Sequence, residues 1–137
     1  MGYATTNPYT GEVIKTFPDA TDTEVTDAIN NAHNAFLAWK QTSFATRAAI
    51  LQKAADLLRE HKESMARLLT LEMGKLLTEA RAEVELSAEI FEYYVQHAER
   101  LLAPETLPVA NPQQVTAQIV HQPLGVLLAI EPWNFPY

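Results

Sequence analysis

At 137 residues with 47% hydrophobic content, the chain is the size of one domain and could bury roughly two-thirds of its unfolded surface if it packed on itself. Its formal charge of -7, with no cluster of Lys or Arg, argues against a surface for nucleic acid or an anionic membrane and leaves small molecules or proteins as partners. The absence of cysteine removes disulfides, thiolate metal sites and cysteine nucleophiles together.

The polar start, Met1 to Asn7, has neither the basic stretch nor the apolar core of a secretory signal, and no apolar run approaches the ~20 residues of a membrane span. A cytoplasmic location is the expectation. Residues 1–20 read as extended and turn-rich, with Asn7-Pro8 and Thr10-Gly11 as turn formers around short β-favouring pieces such as Val13-Ile14. Thr21 opens a helix, because Glu24 stands at the spacing at which a cap hydroxyl and an N3 carboxylate satisfy each other's free amides. Val25, Ala28, Ile29, Ala32, Ala35, Phe36 and Trp39 follow as one apolar stripe. Ser43 caps a second predicted helix with a seam of Leu51, Ala54, Leu58, His61, Met65 and Leu68, and Gly74 stops it. A third helix is predicted from about Thr78 to Leu102, with Ala80, Val84, Ala88, Phe91, Val95, Ala98 and Leu102 facing inward.

Pro104, Pro108 and Pro112 mark residues 103–114 as a linker to a new layer. Residues 115–121 alternate imperfectly and read as a half-exposed strand ended by Pro123. The run Leu124-Gly125-Val126-Leu127-Leu128-Ala129-Ile130 suits a strand buried on both faces, which demands neighbouring strands and covering layers. Open α/β sheets bind ligands just beyond the carboxyl ends of such strands. Glu131-Pro132-Trp133-Asn134-Phe135-Pro136-Tyr137 lies at that point, with two prolines restricting the backbone around Trp133 and Asn134.

Pro123-Leu124-Gly125-Val126 followed by Pro132-Trp133-Asn134-Phe135-Pro136 resembles the core signature of the aldehyde dehydrogenase superfamily. Asn7-Pro8-Tyr9-Thr10-Gly11-Glu12 resembles the usual opening of that family, and Glu72-Met73-Gly74-Lys75 its mid-helical Glu-x-Gly-Lys element. The opening and the ending are most similar to the NAD(P)-dependent succinate-semialdehyde dehydrogenase branch. The resemblance implies an α/β fold of which this chain is the amino-terminal portion. Residues 1–114 would supply the extended segment, three-helix layer and linker of the nucleotide-binding domain, 115–123 an oligomerisation-arm strand, and 124–137 the first core strand and the start of the active-site loop. It also implies oxidation of an aldehyde with NAD or NADP in a homo-oligomer. The nucleophilic cysteine, the general-base glutamate and the Gly-rich phosphate segment would all lie beyond Tyr137, so the chain alone is expected to be inactive. Only Gly2, Gly11, Gly74 and Gly125 are present, too few for a dinucleotide fingerprint. A non-enzymatic interaction or regulatory module is the alternative reading of such a chain.

The resemblance assigns Asn134 as the amide that donates to the oxyanion formed when the thiolate attacks the aldehyde. Fixed neutral donors suit this task, since developing charge in a dry site needs them already in place. Pro132 and Trp133, with Asn134, match positions beside the nicotinamide half of the cofactor, although a large aromatic such as Trp133 is also a common packing plug. His33, His61, His97 and His121 sit on separate elements without ligand spacing, so no metal site is expected. Glu79, Glu83, Glu85, Glu89 and Glu92 read mostly as the solvated face of the third helix. Glu131 adjoins the site but also sits where a strand exit meets solvent, and it does not match the catalytic glutamate of the family. No serine lies in a nucleophile-elbow context.

Overall fold

The computed structural model describes residues 2–137; Met1, the first residue of the polar start, lies outside the described residues. Strands β1 (Tyr3–Thr6) and β2 (Val13–Phe17) form an antiparallel hairpin with a register shift between Thr5 and Thr6. The predicted turn formers close it: Gly11 N–H donates to the Asn7 carbonyl at 2.8 Å, and Tyr9 N–H donates to Asn7 Oδ1 at 2.9 Å. Gly11 has φ of 74°, a conformation that costs residues with a Cβ.

Helix α1 (Asp22–Trp39) begins with the predicted capping box. Glu24 N–H donates to Thr21 Oγ1 at 3.2 Å, and Thr21 N–H donates to Glu24 Oε2 at 2.8 Å. That backbone bond from Thr21, with its side-chain bond, lowers the Glu24 carboxyl pKa. The apolar stripe of α1 is uncovered, with no buried residue along the helix.

The predicted second helix is two helices, α2 (Phe44–Glu60) and α3 (Lys62–Met73), parted at His61 with φ -100° and ψ 11°. Ser43 caps α2 as expected, accepting from Thr46 N–H at 3.1 Å. The break escaped the periodicity because only one residue leaves helical geometry: Met65 N–H already donates back to the His61 carbonyl at 3.0 Å. The stripe therefore runs on almost in phase, but His61 at the joint and Leu68, both expected on the seam, are exposed, and Ala66 and Leu69 are buried in α3.

Helix α4 (Leu77–Leu101) is the centre of the layer, with α2 and α3 packed along it. Ala80, Val84 and Ala88 are fully buried as predicted, and Phe91, Val95 and Ala98 are half-buried. Leu102, expected to face inward, is exposed just beyond the helix end. Ala55 of α2 and Ala66 and Leu69 of α3 complete the core.

Ion pairs border this seam and correct the reading of the α4 carboxylates. Glu79 and Glu89 are exposed, but Glu85 accepts from Arg59 Nε at 2.7 Å and from Lys62 Nζ at 2.8 Å. Glu92 accepts from both terminal nitrogens of Arg59, at 2.9 Å on Nη2, and from Gln52 at 3.3 Å. Glu83 is buried, 4% exposed. The carboxylates bordering a helix stripe face neighbouring helices, so cations on those neighbours decide whether they are solvated or paired.

Strand β3 (Glu105–Leu107) forms inside the predicted linker and pairs antiparallel with β4 (Ala117–Ile119), within the strand expected at 115–121. The sheet has two strands, so each keeps an outer edge without a ladder partner among the described residues. The run Leu124–Ile130, expected as a buried strand, takes no strand pairing here, and Leu124 and Leu128 are 90% and 87% exposed. A strand apolar on both faces requires ladder partners and two covering layers, and each sheet among the described residues consists of two strands already paired with each other.

Acid should loosen the layer at the Arg59 clamp. Arg59 first, then Gln52, holds the Glu92 carboxyl down at about 2, and Lys62 and Arg59 lower that of Glu85. A depressed folded-state pKa gives stability that is present above the ordinary carboxylate range and is lost as pH falls through the folded value. Acid titration followed by far-UV circular dichroism should show helix stability falling from the ordinary carboxylate range down to about 2, and Glu92→Gln should flatten that dependence.

Candidate active site

The residues from Pro132 to Tyr137 fold back onto the end of α3 and the start of α4. Phe135 N–H approaches the Pro132 carbonyl at 3.4 Å, closing a turn with Trp133 and Asn134 at its centre. Proline at the first position presets its backbone angle. The indole of Trp133 is 78% exposed, and Asn134 is exposed beside it. The turn thus exposes the aromatic side chain of Trp133 and the neutral amide of Asn134 at successive positions.

A buried charge pair holds the turn. Lys75 Nζ donates to the Asn134 carbonyl at 2.7 Å and to Glu83 Oε2 in a short ion pair. The same ammonium lies 4.0 Å from the centre of the Phe135 ring, close enough for cation–π attraction. The Lys75 and Glu83 side chains are 10% and 2% exposed. The second oxygen of Glu83 accepts from Tyr137 N–H at 3.3 Å, and the Tyr137 hydroxyl donates to the Met65 carbonyl of α3 at 3.2 Å. Burial first, then the carboxylates of Glu72 and Glu83, raises the pKa of that hydroxyl. A groove of about 460 Å³ runs between Lys75, Leu86, Asn134 and Phe135.

Gly74 connects the third part. It ends α3 in the left-handed conformation, φ 78°, with its N–H donating to the Thr70 carbonyl at 3.1 Å. A Cβ there would lie 3.1 Å from Pro8 Cγ in the hairpin loop. Asn7-Pro8, Gly74-Lys75 and Pro132–Tyr137 are far apart in sequence and meet at this one corner.

Pro132, Trp133 and Asn134, singled out from the sequence, follow one another through this turn. Lys75 and Glu83 were missed as parts of the site. Lys75 stood inside a quoted element without being weighed, and Glu83 was read with the solvated carboxylates. The available signal was position, since residue 83 lies one turn beyond Ala80 and adjoins Val84 on the inward stripe. The histidines stay apart, and among the described residues no group of three His, Asp or Glu side chains is placed to hold a metal.

The sequence matches the Aldehyde dehydrogenase family over residues 1–137. The chain belongs to the aldehyde dehydrogenase family. It is 48% identical over 134 residues to a succinate-semialdehyde dehydrogenase [NADP(+)] of Deinococcus radiodurans, covering 98% of this chain and 28% of that protein. It is 49% identical over 136 residues to succinate-semialdehyde dehydrogenase [NADP(+)] 1 of Mycobacterium tuberculosis, covering 99% of this chain and 30% of the relative. The aldehyde dehydrogenase chain described here thus spans under a third of the length of these relatives. Among solved structures, succinic semialdehyde dehydrogenase from Streptococcus pyogenes in complex with NADP+ superimposes with a TM-score of 0.91 at 39% identity, covering 98% of this chain and 29% of that one. A point mutant of betaine aldehyde dehydrogenase from Staphylococcus aureus in complex with NAD+ gives 0.87 at 34% identity, with 98% and 28% covered. The fold seen here is that of one portion of aldehyde dehydrogenases, and among the described residues no helix is long and apolar enough to cross a membrane.

Gly74→Ala should test the corner. A left-handed alanine costs about 1–2 kcal/mol, and its methyl would also press on Pro8. Urea unfolding should show a loss of at least that size, against little effect from an alanine substitution at an exposed helical site.

Proposed function

We propose that the chain is the amino-terminal segment of a cytoplasmic, NAD(P)-dependent aldehyde dehydrogenase that oxidises succinate semialdehyde to succinate, with Asn134 as its oxyanion donor. One observation carries the reading. Asn134 stands in a turn whose backbone is pinned by a buried ion pair, at the corner where the three family-like sequence blocks meet. Near-half identity with two succinate-semialdehyde dehydrogenases over almost the whole chain supports the substrate.

The surface around the turn fits a nicotinamide. An exposed indole and the turn at Pro132 offer a flat apolar face, and a neutral amide adjoins it. Pro132, Trp133 and Asn134 would hold that half of the cofactor, which when bound supplies the hydride acceptor. The role of Asn134 is electrostatic. As a thiolate from outside these 137 residues attacks the aldehyde, the carbonyl oxygen gains negative charge, and the Asn134 amide donates to it. A donor already held in place costs no reorganisation at that moment, and losing one costs about 2.7–4 kcal/mol. The β3–β4 hairpin, with its open edges, is read as the oligomerisation arm.

Two experiments test this. The purified 137-residue chain should produce no NAD(P)H from any aldehyde, because it has no thiol to form the covalent adduct; turnover by the pure chain would overturn the assignment. In the aldehyde-oxidising protein that carries this segment, Asn134→Ala should lower turnover ~10²- to 10³-fold while nearly sparing nucleotide affinity. Asn134→Asp should be worse, since it sets a negative charge against the oxyanion.

A further inference from the structure

We propose that Lys75 and Glu83 are positioning residues for the oxyanion donor, a buried pair that fixes the backbone at Asn134 and at Tyr137 without touching substrate. The inference rests on the role given to Asn134 above.

Burying an ammonium and a carboxylate costs several kcal/mol of lost hydration per ion, and the attraction between them often does no more than offset this. An apolar pair of similar volume would hold α3 and α4 together as well. What an apolar pair could not do is donate to the Asn134 carbonyl at 2.7 Å and accept from Tyr137 N–H at 3.3 Å. Those two backbone atoms lie on either side of Phe135 and Pro136, so the pair grips both ends of that step. Phe135 stacks on the same ammonium. The contrast with the other ion pairs is direct. Arg59 with Glu92, and Lys62 with Glu85, are more exposed, and they join helix to helix with no bond to the turn.

The physical consequence concerns aim. An asparagine amide serves a developing charge only if it is fixed within a fraction of an ångström, and displacement by about 1 Å can cost 10²-fold in rate. Pro132 and Pro136 limit the torsions of the turn but anchor it to nothing. Lys75 and Glu83 supply the anchor, and they come from the rigid start of α4 and the residue after the α3 stop.

The test uses the aldehyde-oxidising protein that carries this segment. Lys75→Met combined with Glu83→Leu removes both bonds to the turn and leaves no lone buried charge, so the protein should fold with a thermal midpoint close to the parent. Turnover should fall about 10- to 100-fold, with a much smaller change in nucleotide affinity. Hydrogen exchange at the amides of 133–137 should quicken. Adding Asn134→Ala should cost little more, because both changes disable one device. Lys75→Arg, which keeps a cationic donor, should retain most of the turnover, and Lys62→Met, which breaks a helix-to-helix pair only, should leave it at the parental level. Should the double variant not fold, Lys75→Met with Glu83→Gln takes its place: it is neutral, keeps an acceptor for Tyr137 N–H and loses the bond to the Asn134 carbonyl, so a smaller fall in turnover is expected. Parental turnover and exchange in a folded variant, or losses that add to that of Asn134→Ala, would overturn the positioning role while leaving the oxyanion donor in place. Parental turnover in Asn134→Ala would overturn both.

Discussion

Along one side of α4, Ala80, Val84 and Ala88 leave so little side chain that α2 and α3 press close to it, and this contact organises the rest of the chain. Small residues bring helix axes together but bury little apolar area each, at about 0.8 kcal/mol per CH₂. The seam therefore relies on what borders it. Arg59 reaches from α2 to two carboxylates of α4, Lys62 joins α3 to one of them, and Arg81 of α4 bonds Glu63 of α3 at 2.8 and 2.9 Å. At the other end, where α3 stops at Gly74, the same close approach shuts Glu83 away from water and makes Lys75 its obligatory partner.

The turn that carries Asn134 inherits its geometry from that arrangement. It lies at the surface, yet it is fastened from beneath by groups that water scarcely reaches. Exposure of Trp133 and burial of Glu83 are two sides of one construction. The hairpin loop joins it through Pro8, which abuts Gly74, so the chain's first turn also braces the corner.

Features that depend on a few neighbouring residues could be read in the sequence. The Thr21–Glu24 capping box, the Ser43 cap, the Gly74 stop and the buried face of α4 are each encoded within one or two helical turns. The split at His61 was not, because a single non-helical residue scarcely shifts the hydrophobic phase. Nor was the fate of Glu83, which depends on a lysine eight residues away across a helix stop. The strand expected at 124–130 shows the converse limit. Its apolar pattern states what environment the segment requires, and pairing among the described residues does not meet that requirement. Asn134 was found through its resemblance to a motif and not through any local rule, since a lone asparagine after a strand most often makes a turn.

The bond from Lys75 to Asn134 spans 59 positions, far more than any contact within a helix or between successive helices. Helices form from near neighbours, and a contact of this separation comes at the cost of closing a long loop, which grows only slowly with length. The layer of α2, α3 and α4 contains within residues 44–101 everything its assembly requires, whereas the turn has nothing to fasten to until α3 has stopped and α4 has begun. Loop-closure entropy therefore favours a helical scaffold that forms ahead of the turn. A chain caught midway would be nearly complete in helix while the turn at Asn134 still hung free of Lys75 and Glu83.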